Sequence, residues 1–162
     1  LPLPDDLARH PVQAQQRQDR TVAVALEHQP SAVRGPARPV GQGQLLDARP
    51  GEGWIRIGFE GRREFCNPAG FVQGGILSAM LDDTMGPAVF AMTEGRLYTA
   101  TISLTVNFLA PAKPGRIIGE AMVTQLGKTV AFIEGRLTAK DGTLLATATT
   151  NARLVEAGKA IQ

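Results

Sequence analysis

The sequence predicts an α+β domain in which an antiparallel sheet wraps around one long helix. Residues 74–93 carry a strong helical periodicity, residues 98–108 alternate between apolar and polar side chains, and short strand-like runs fill most of the remaining chain from residue 41. These elements come in the order hairpin, helix and four strands, which suits a sheet folded around a single helix. The 162 residues, 43% of them hydrophobic, are enough for one domain with a buried core.

Residues 1–40 differ in composition from the rest of the chain. They are rich in Gln, Arg and Pro, and a helix is predicted from Asp5 to about Leu26. We interpret them as an N-terminal helical extension packed on a domain formed by residues 41–162. The first ten residues lack the order of a signal peptide, and no apolar run approaches the roughly 18 to 20 residues that span a bilayer, so we expect a cytoplasmic protein without membrane contact.

The domain begins with two strands, GQLLDAR and GWIRIGFEG, which Pro50 and Gly51 separate as in a hairpin. The long helix follows at residues 74–93. Its apolar residues recur at spacings of three and four, which predicts one buried face. That face consists of Leu77, Met80, Leu81, Met85, Ala88, Val89 and Met92.

Beyond the helix the period of the apolar residues changes to two, as in a strand. Strict alternation predicts a polar face that includes Thr101. It also predicts one apolar face, made of Tyr98, Ala100, Ile102, Leu104, Val106 and Phe108. Three more strands are predicted at residues 116–126, 129–138 and 144–154, with turns at PAKPG and at Asp-Gly between them.

Charge and cysteine content exclude several classes of protein. The net charge is +2, and Lys and Arg are scattered among Asp and Glu, so no basic stripe suits a nucleic-acid backbone. Cys66 is the only cysteine, which excludes an internal disulfide framework and fits a reducing compartment. No His, Cys or carboxylate cluster has metal-ligand spacing, so we expect no metal.

The loop that runs into the helix carries the candidate chemistry. Gly74 and Gly75 open the helix, where unpaired backbone N–H groups and the positive end of the helix dipole can polarise a carbonyl oxygen. The plainer alternative is that two glycines let the loop turn tightly. Asp82 follows two helical turns later beside the apolar stripe, where a carboxylate is costly to bury without a function or a partner. Asp83 is more easily explained as a solvated or hydrogen-bonded structural residue.

The stretches NPAGFVQGGILSAMLDD, TATISLTVNFLAPAKPG and GKTVAF resemble the PaaI-type acyl-CoA thioesterases of the hotdog superfamily. The family pattern is an Asn, a His-Gly-Gly six residues later and an Asp nine residues after the His. This sequence has Asn67, Gln73-Gly74-Gly75 and Asp82 at those spacings. Gln73 replaces the commoner His, and an amide can donate to a thioester carbonyl but does not titrate near neutral pH.

The resemblance implies a hotdog fold, thioester hydrolysis, and a homodimer or dimer of dimers with each site built from two subunits. It implies that the Gly74 N–H polarises the thioester carbonyl and that Asp82 of the facing subunit is the general base or nucleophile. Asn67 and Gln73 would orient the carbonyl or water, and Thr101 would help to place the water. Contacts with coenzyme A, which is part of the substrate and not a cofactor, are implied for Gly75, Gly127, Lys128 and Thr129.

Other interpretations stay open at this point. Thr101 also fits an exposed strand position and Lys128 a hairpin turn. Hotdog hydratases use a catalytic His, but the only histidines, His10 and His28, lie in the extension, and a nucleophilic Cys66 would lack a neighbouring base for the same reason. A non-catalytic acyl-CoA binding module would keep the helix N-terminus without needing Asp82, and a structural interaction protein would need neither.

Overall fold

The computed structural model describes residues 43–160, which form one sheet and one long helix. The elements are β1 (Gln44–Arg49), β2 (Trp54–Gly61), α1 (Gly74–Met92), β3 (Leu97–Phe108), β4 (Gly115–Leu126), β5 (Val130–Ala139), β6 (Leu144–Glu156) and a final short helix, α2 (Ala157–Ala160). The predicted order of hairpin, helix and four strands is confirmed. The N-terminal extension predicted for residues 1–40 lies outside the described residues.

The six strands form one antiparallel sheet in the order β1-β2-β4-β5-β6-β3. Strand β3 therefore lies at the edge beside β6, whereas β4 lies beside β2. Residues 109–114 cross between these positions, so the predicted turn at PAKPG is a crossover and not a hairpin. With α1 packed against this sheet, the architecture is the predicted hotdog fold.

The core lies between α1 and the sheet face that the helix covers. Leu77, Met80, Leu81, Met85 and Val89 are at most 3% exposed. They pack with buried strand residues in one cluster that includes Ile55, Phe59, Ile117, Ile133, Leu137 and Leu145. Each large apolar side chain buried in this way contributes roughly 1.5–3 kcal/mol.

Helix α1 approaches the sheet closely at Gly135 of β5. A Cβ atom at this position would lie 2.9 Å from the Cγ and Sδ atoms of Met85. Only glycine at position 135 allows α1 to pack this close to the sheet. The close packing fixes the orientation of α1, and with it the helix face that is left uncovered.

Strand β3 departs from strict alternation. Its pairing with β6 shifts between Thr101 and Ser103, where Ile102 is the additional residue of a β-bulge. Before the bulge Thr99 is buried and Tyr98 is exposed, whereas beyond it Leu104 and Val106 are the partly buried residues. The prediction of a single apolar face from residue 98 to 108 is therefore wrong, because one added residue reverses the phase of every side chain that precedes it.

Candidate active site

The uncovered face of α1 carries two positions that the sequence predicted to be functional. Among the residues of α1, only Gly75 and Asp82 are exposed. They are seven residues apart, so they lie on the same helix face, separated by roughly 10 Å along the axis. The sequence placed Asp82 beside the buried stripe, but its carboxylate lies on the open face of the described chain.

The Asp82 carboxylate is held by Thr101. The hydroxyl Oγ1 of Thr101 donates to Oδ1 of Asp82 at 2.8 Å, although the two residues are 19 positions apart. The bulge at Ile102 allows this contact, because it places the Thr101 side chain on the side of the sheet that α1 covers. The sequence predicted Thr101 on the opposite, polar side, and the family resemblance implied only that it helps to place the attacking water. Its contact with Asp82 was therefore not predicted.

Asp83 has a structural role that differs from that of its neighbour. Its Oδ2 atom accepts a hydrogen bond from the Gly43 N–H at 3.2 Å, which fastens the start of the described chain to the middle of α1. Burial raises the pKa of the Asp83 carboxyl above its usual value of 3.8, the hydrogen bond from Gly43 opposes this effect, and the charge of Asp82 adds to it. Of the two interpretations left open for Asp83, a solvated or a hydrogen-bonded structural residue, the structure has the second.

The N-terminus of α1 presents unpaired backbone donors. Gln73 is the N-cap, with extended backbone and no capping hydrogen bond from its side chain, and its own N–H donates to the Phe65 carbonyl at 2.9 Å. Among residues 43–160 no group accepts from the N–H of Gly74 or Gly75. These donors can therefore bind a carbonyl oxygen that enters from outside.

Asn67 closes the loop that precedes α1. Its Oδ1 atom accepts from the N–H groups of Ala69 at 3.0 Å and Phe71 at 3.1 Å. Because two donors point at this atom it must be the amide oxygen, so only the NH₂ group of Asn67 can serve a ligand. The structure thus brings together Asn67 and Gly74, both of which line one cleft.

This cleft, which the sequence did not predict, has a volume of about 460 Å³. Its other walls come from Phe71 in the loop and from residues 108–112 at the end of β3 and in the crossover. The signal in the sequence is the pair Phe108-Leu109, two large apolar residues next to a predicted turn. Alternation placed Phe108 on the apolar face of its strand, and the structure leaves its side chain 53% exposed at the cleft.

The two groups of residues lie apart in a single chain. Gly74 and Asp82 are eight residues apart, which corresponds to roughly 12 Å along the helix axis. That separation is too long for both to contact the same carbonyl carbon and oxygen. We call Asn67, Gln73 and Gly74 the carbonyl half of the site, and Asp82 with Thr101 the carboxylate half.

The hairpin turn of Gly127, Lys128 and Thr129 lies at the same end of the sheet as the carboxylate half. Arg153 of β6 pairs on one side with Ala100, next to Thr101, and on the other side with Val130, which follows the turn. The turn is thus two strands from β3, or roughly 10 Å. All three of its residues are exposed. Exposure fits both a contact with coenzyme A and an ordinary hairpin turn.

The remaining predicted groups add no second site. Cys66 is partly buried, and its thiol contacts the Arg62 carbonyl at 3.7 Å. Across residues 43–160 no three His, Cys, Asp or Glu side chains come together in a group suited to a metal ion. None of the helices in this part of the chain combines the length and the apolar character needed to cross a membrane.

This hotdog fold carries a carboxylate held by a threonine hydroxyl and free N–H groups at the start of the same helix, which are among the kinds of group that acyl-transfer enzymes use. The sequence matches the model of the thioesterase superfamily over residues 69–146. It is 32% identical to human acyl-coenzyme A thioesterase 13 over 104 residues, which cover 64% of this chain and 72% of the human protein. The chain therefore belongs to the thioesterase superfamily, and its similarity to acyl-CoA thioesterases makes it a hydrolase of the thioesterase class.

Two solved structures extend the likeness across the described domain. One is a phenylacetic acid degradation-related protein of Ralstonia eutropha, with a TM-score of 0.70 and 32% identity, covering 82% of this chain and 98% of the other. The second is a thioesterase family protein of Silicibacter pomeroyi, with a TM-score of 0.69 and 25% identity, covering 85% of this chain and 97% of the other. Both similarities agree with the PaaI-type resemblance of the sequence.

Proposed function

We propose that the protein hydrolyses acyl-CoA thioesters, with Asp82 as general base or nucleophile. The observation that carries the proposal is the Asp82 carboxylate, exposed on α1 and oriented by the Thr101 hydroxyl at 2.8 Å. A carboxylate held by a hydroxyl can accept a proton from water or attack a carbonyl carbon directly. The name of the human relative, an acyl-coenzyme A thioesterase, supports acyl-CoA as the substrate class.

In the base route, Asp82 removes a proton from water while the water oxygen attacks the thioester carbon. Negative charge then develops on the carbonyl oxygen, which the Gly74 N–H and the amide NH₂ of Asn67 stabilise. The C–S bond breaks, and the coenzyme A sulfur leaves with the proton that Asp82 had taken. In the nucleophile route, the Asp82 carboxylate attacks the thioester carbon, the C–S bond breaks, and coenzyme A leaves as the thiolate. Water then hydrolyses the resulting anhydride, which releases the free acid and regenerates Asp82, and the proton from water goes to the thiolate. Gln73 can donate a hydrogen bond in either route but supplies no titratable proton.

The substrate's coenzyme A portion is assigned to the turn at Gly127, Lys128 and Thr129, together with the exposed Gly75. Lys128 is a flexible point charge that can meet a phosphate group. The register of the sheet supports this assignment, because it puts the turn at the end of the sheet where Thr101 lies. The proposal requires no separate cofactor and no metal, and the single cysteine supports a cytoplasmic location.

Each site is proposed to combine the carbonyl half of one subunit with the carboxylate half of another in a homodimer. The separation of Gly74 from Asp82 along one helix, roughly 12 Å, supports this arrangement. Strand β3 also lies at a sheet edge, where a row of backbone groups can pair with a second copy. Tyr98 and Ile102 on this strand are 45% and 60% exposed. Two such dimers can associate into a tetramer.

The test of the activity is thiol release from a panel of acyl-CoAs by the wild-type protein and by Asp82→Asn. The panel includes aryl groups, since the Ralstonia relative is described as related to phenylacetic acid degradation. We expect Asp82→Asn to lower kcat by about 10³-fold, within the usual range for a general base. Asp47→Asn, an exposed carboxylate on β1, is the matched control. If the wild type bound acyl-CoA but released no thiol from any substrate, a binding module would replace the proposed enzyme.

The shared site is tested by mixing two inactive variants. In a dimer of Asp82→Asn with Gly74→Pro, one site carries both defects and the other carries none. Random exchange of subunits should therefore restore about a quarter of the wild-type activity in an equimolar mixture, since half of the dimers are mixed. Mixtures that stay inactive after proven exchange would place both halves of a site in one subunit.

A further inference from the structure

The side chains that line the cleft beside Gly74 are apolar, apart from that of Asn67. Phe71 and Leu77 face it from the loop and from α1, and Phe108 to Pro111 form its other wall. The two walls are joined at Val72, whose N–H donates to the Ala112 carbonyl at 2.8 Å. The cleft is therefore a fixed part of the fold, and apart from the carbonyl half of the site its lining side chains offer no polar group to a ligand.

Phe108 brings this apolar lining up to the carbonyl half of the site. Its ring atoms lie 3.0 to 3.3 Å from the point where a Cβ atom of residue 74 would be. The Phe108 and Leu109 side chains are 53% and 56% exposed, although burial of such groups is favourable. Leu109 and Ala110 both donate backbone hydrogen bonds to the Leu145 carbonyl, at 2.9 and 3.2 Å. The backbone thus holds these side chains in the open beside the Gly74 N–H.

The distribution of charge separates this cleft from the region assigned to coenzyme A. No charged side chain lines the cleft. Lys113, just beyond it along the chain, lies near the β5–β6 turn, where hydrogen bonds from Thr143 and, to a lesser extent, the Lys113 charge lower the pKa of Asp141. Lys128 and Arg153 lie at the other end of the sheet, beside the carboxylate half. Phosphate groups need cations, so the cleft suits the other side of the thioester.

We infer that this cleft binds the acyl group and that Phe108 is a specificity-determining residue selecting apolar, uncharged acyl groups. The inference rests on the proposed thioesterase activity, because the position of the carbonyl at Gly74 orients the substrate. With the carbonyl oxygen on the Gly74 N–H, an alkyl or aryl group extends along Phe108 and Phe71. A volume of about 460 Å³ is in the range of pockets for small organic groups and exceeds what an acetyl group fills.

The test compares kcat/KM for acetyl-, hexanoyl-, decanoyl-, phenylacetyl- and succinyl-CoA in the wild type, Phe108→Ala and Phe108→Leu. We expect Phe108→Ala to lower kcat/KM for the hexanoyl, decanoyl and phenylacetyl substrates by about tenfold or more relative to acetyl-CoA, as loss of apolar contact does. Phe108→Leu should restore part of the alkyl preference. Succinyl-CoA should be a poor substrate of the wild type. Phe132→Ala, which removes a 45% exposed ring elsewhere on the sheet, is the matched control and should keep the wild-type profile.

The inhibition constant of free coenzyme A measures binding of the carrier without the acyl group. We expect Phe108→Ala to leave this inhibition constant unchanged. An equal loss of kcat/KM for all acyl groups, or a matching loss of coenzyme A affinity, would overturn the inference and assign the cleft to the carrier arm. If the wild type turned over no substrate, the proposed function would fail, and binding of non-hydrolysable decanoyl and acetyl thioether analogues to the same variants would still decide the role of Phe108.

Discussion

The carbonyl half and the carboxylate half of the candidate site are built by opposite means. The carbonyl half relies on backbone N–H groups at the start of α1, and its loop is closed by Asn67 through contacts within four residues. The carboxylate half relies on two side chains 19 residues apart, which a β-bulge brings together. A substitution can therefore remove the carboxylate half easily, whereas most side-chain changes leave the carbonyl half intact.

If the carbonyl half depends on a backbone donor, the largest loss of kcat is expected for Gly74→Pro, measured against Gly74→Ala. Proline suits the first position of a helix, where it removes the N–H and adds a ring, and Gln73 already has the extended backbone that precedes a proline. Loss of one oxyanion donor should lower kcat by about 10²-fold. Gly74→Ala keeps the donor while adding the same Cβ contact with Phe108. The ratio of kcat between the two variants measures the donor itself.

Thermal unfolding of both Gly74 variants is the control for this comparison. Equal midpoints with unequal kcat would assign the loss to the missing N–H. If Gly74→Ala lost as much activity as Gly74→Pro, crowding against Phe108 would explain the loss, and the carbonyl half would not depend on its backbone donor.

A smaller loss of activity is expected for Thr101→Val, which tests whether the hydroxyl orients Asp82 in the carboxylate half. Thr101→Val keeps the shape of the side chain but removes the hydroxyl that donates to Asp82 at 2.8 Å. A hydrogen bond to a charged group contributes about 1.5–3 kcal/mol, so kcat/KM should fall by about 10- to 100-fold. Thr101→Ser retains the hydroxyl and should keep most of the activity. Similar rates for the valine and serine variants would show that the bond does not orient Asp82.

The smallest effect concerns stability and distinguishes Asp83 from Asp82. Burial raises the pKa of Asp83 above 3.8. Stability from a group whose folded pKa is raised is fully present below the unfolded pKa and is lost as the pH rises through the folded value. Asp83→Asn should therefore raise the urea midpoint at pH 7 slightly, and this gain should vanish toward pH 3.8. Asp47→Asn is the control. If the gain in urea midpoint were the same at every pH, the ionised Asp83 carboxylate would not be its cause.

The sequence predicts those parts of the molecule that depend on contiguous residues. The spacing of apolar residues located α1 to within one residue at its C-terminal end, and the Gly74-Gly75 pair located the helix start with its free donors. Family resemblance named Asp82 and Thr101 as separate site residues but did not predict their contact. The alternating pattern placed Thr101 on the side away from α1, because nothing in that pattern shows that residue 102 is an additional residue.

The cleft was beyond prediction for a related reason. Its walls come from a loop before α1 and a crossover after β3, and they meet only because β3 lies at a sheet edge distant from β4. Residue patterns give the elements but not the order of strands in the sheet. The sequence therefore placed Phe108 on the apolar face of β3 but could not show that it lines the cleft beside Gly74.

The bulge at Ile102 also decides where β3 can change in length. If Ile102 were deleted, regular pairing would still leave Thr101 and Leu104 on the side of the helix, because the two flanking segments are already offset by one residue. A deletion elsewhere before the bulge would move Thr101 or Thr99 to the outer side of the sheet. A one-residue deletion in this strand should thus be tolerated at a single position, and comparisons of distant relatives should allow a gap there.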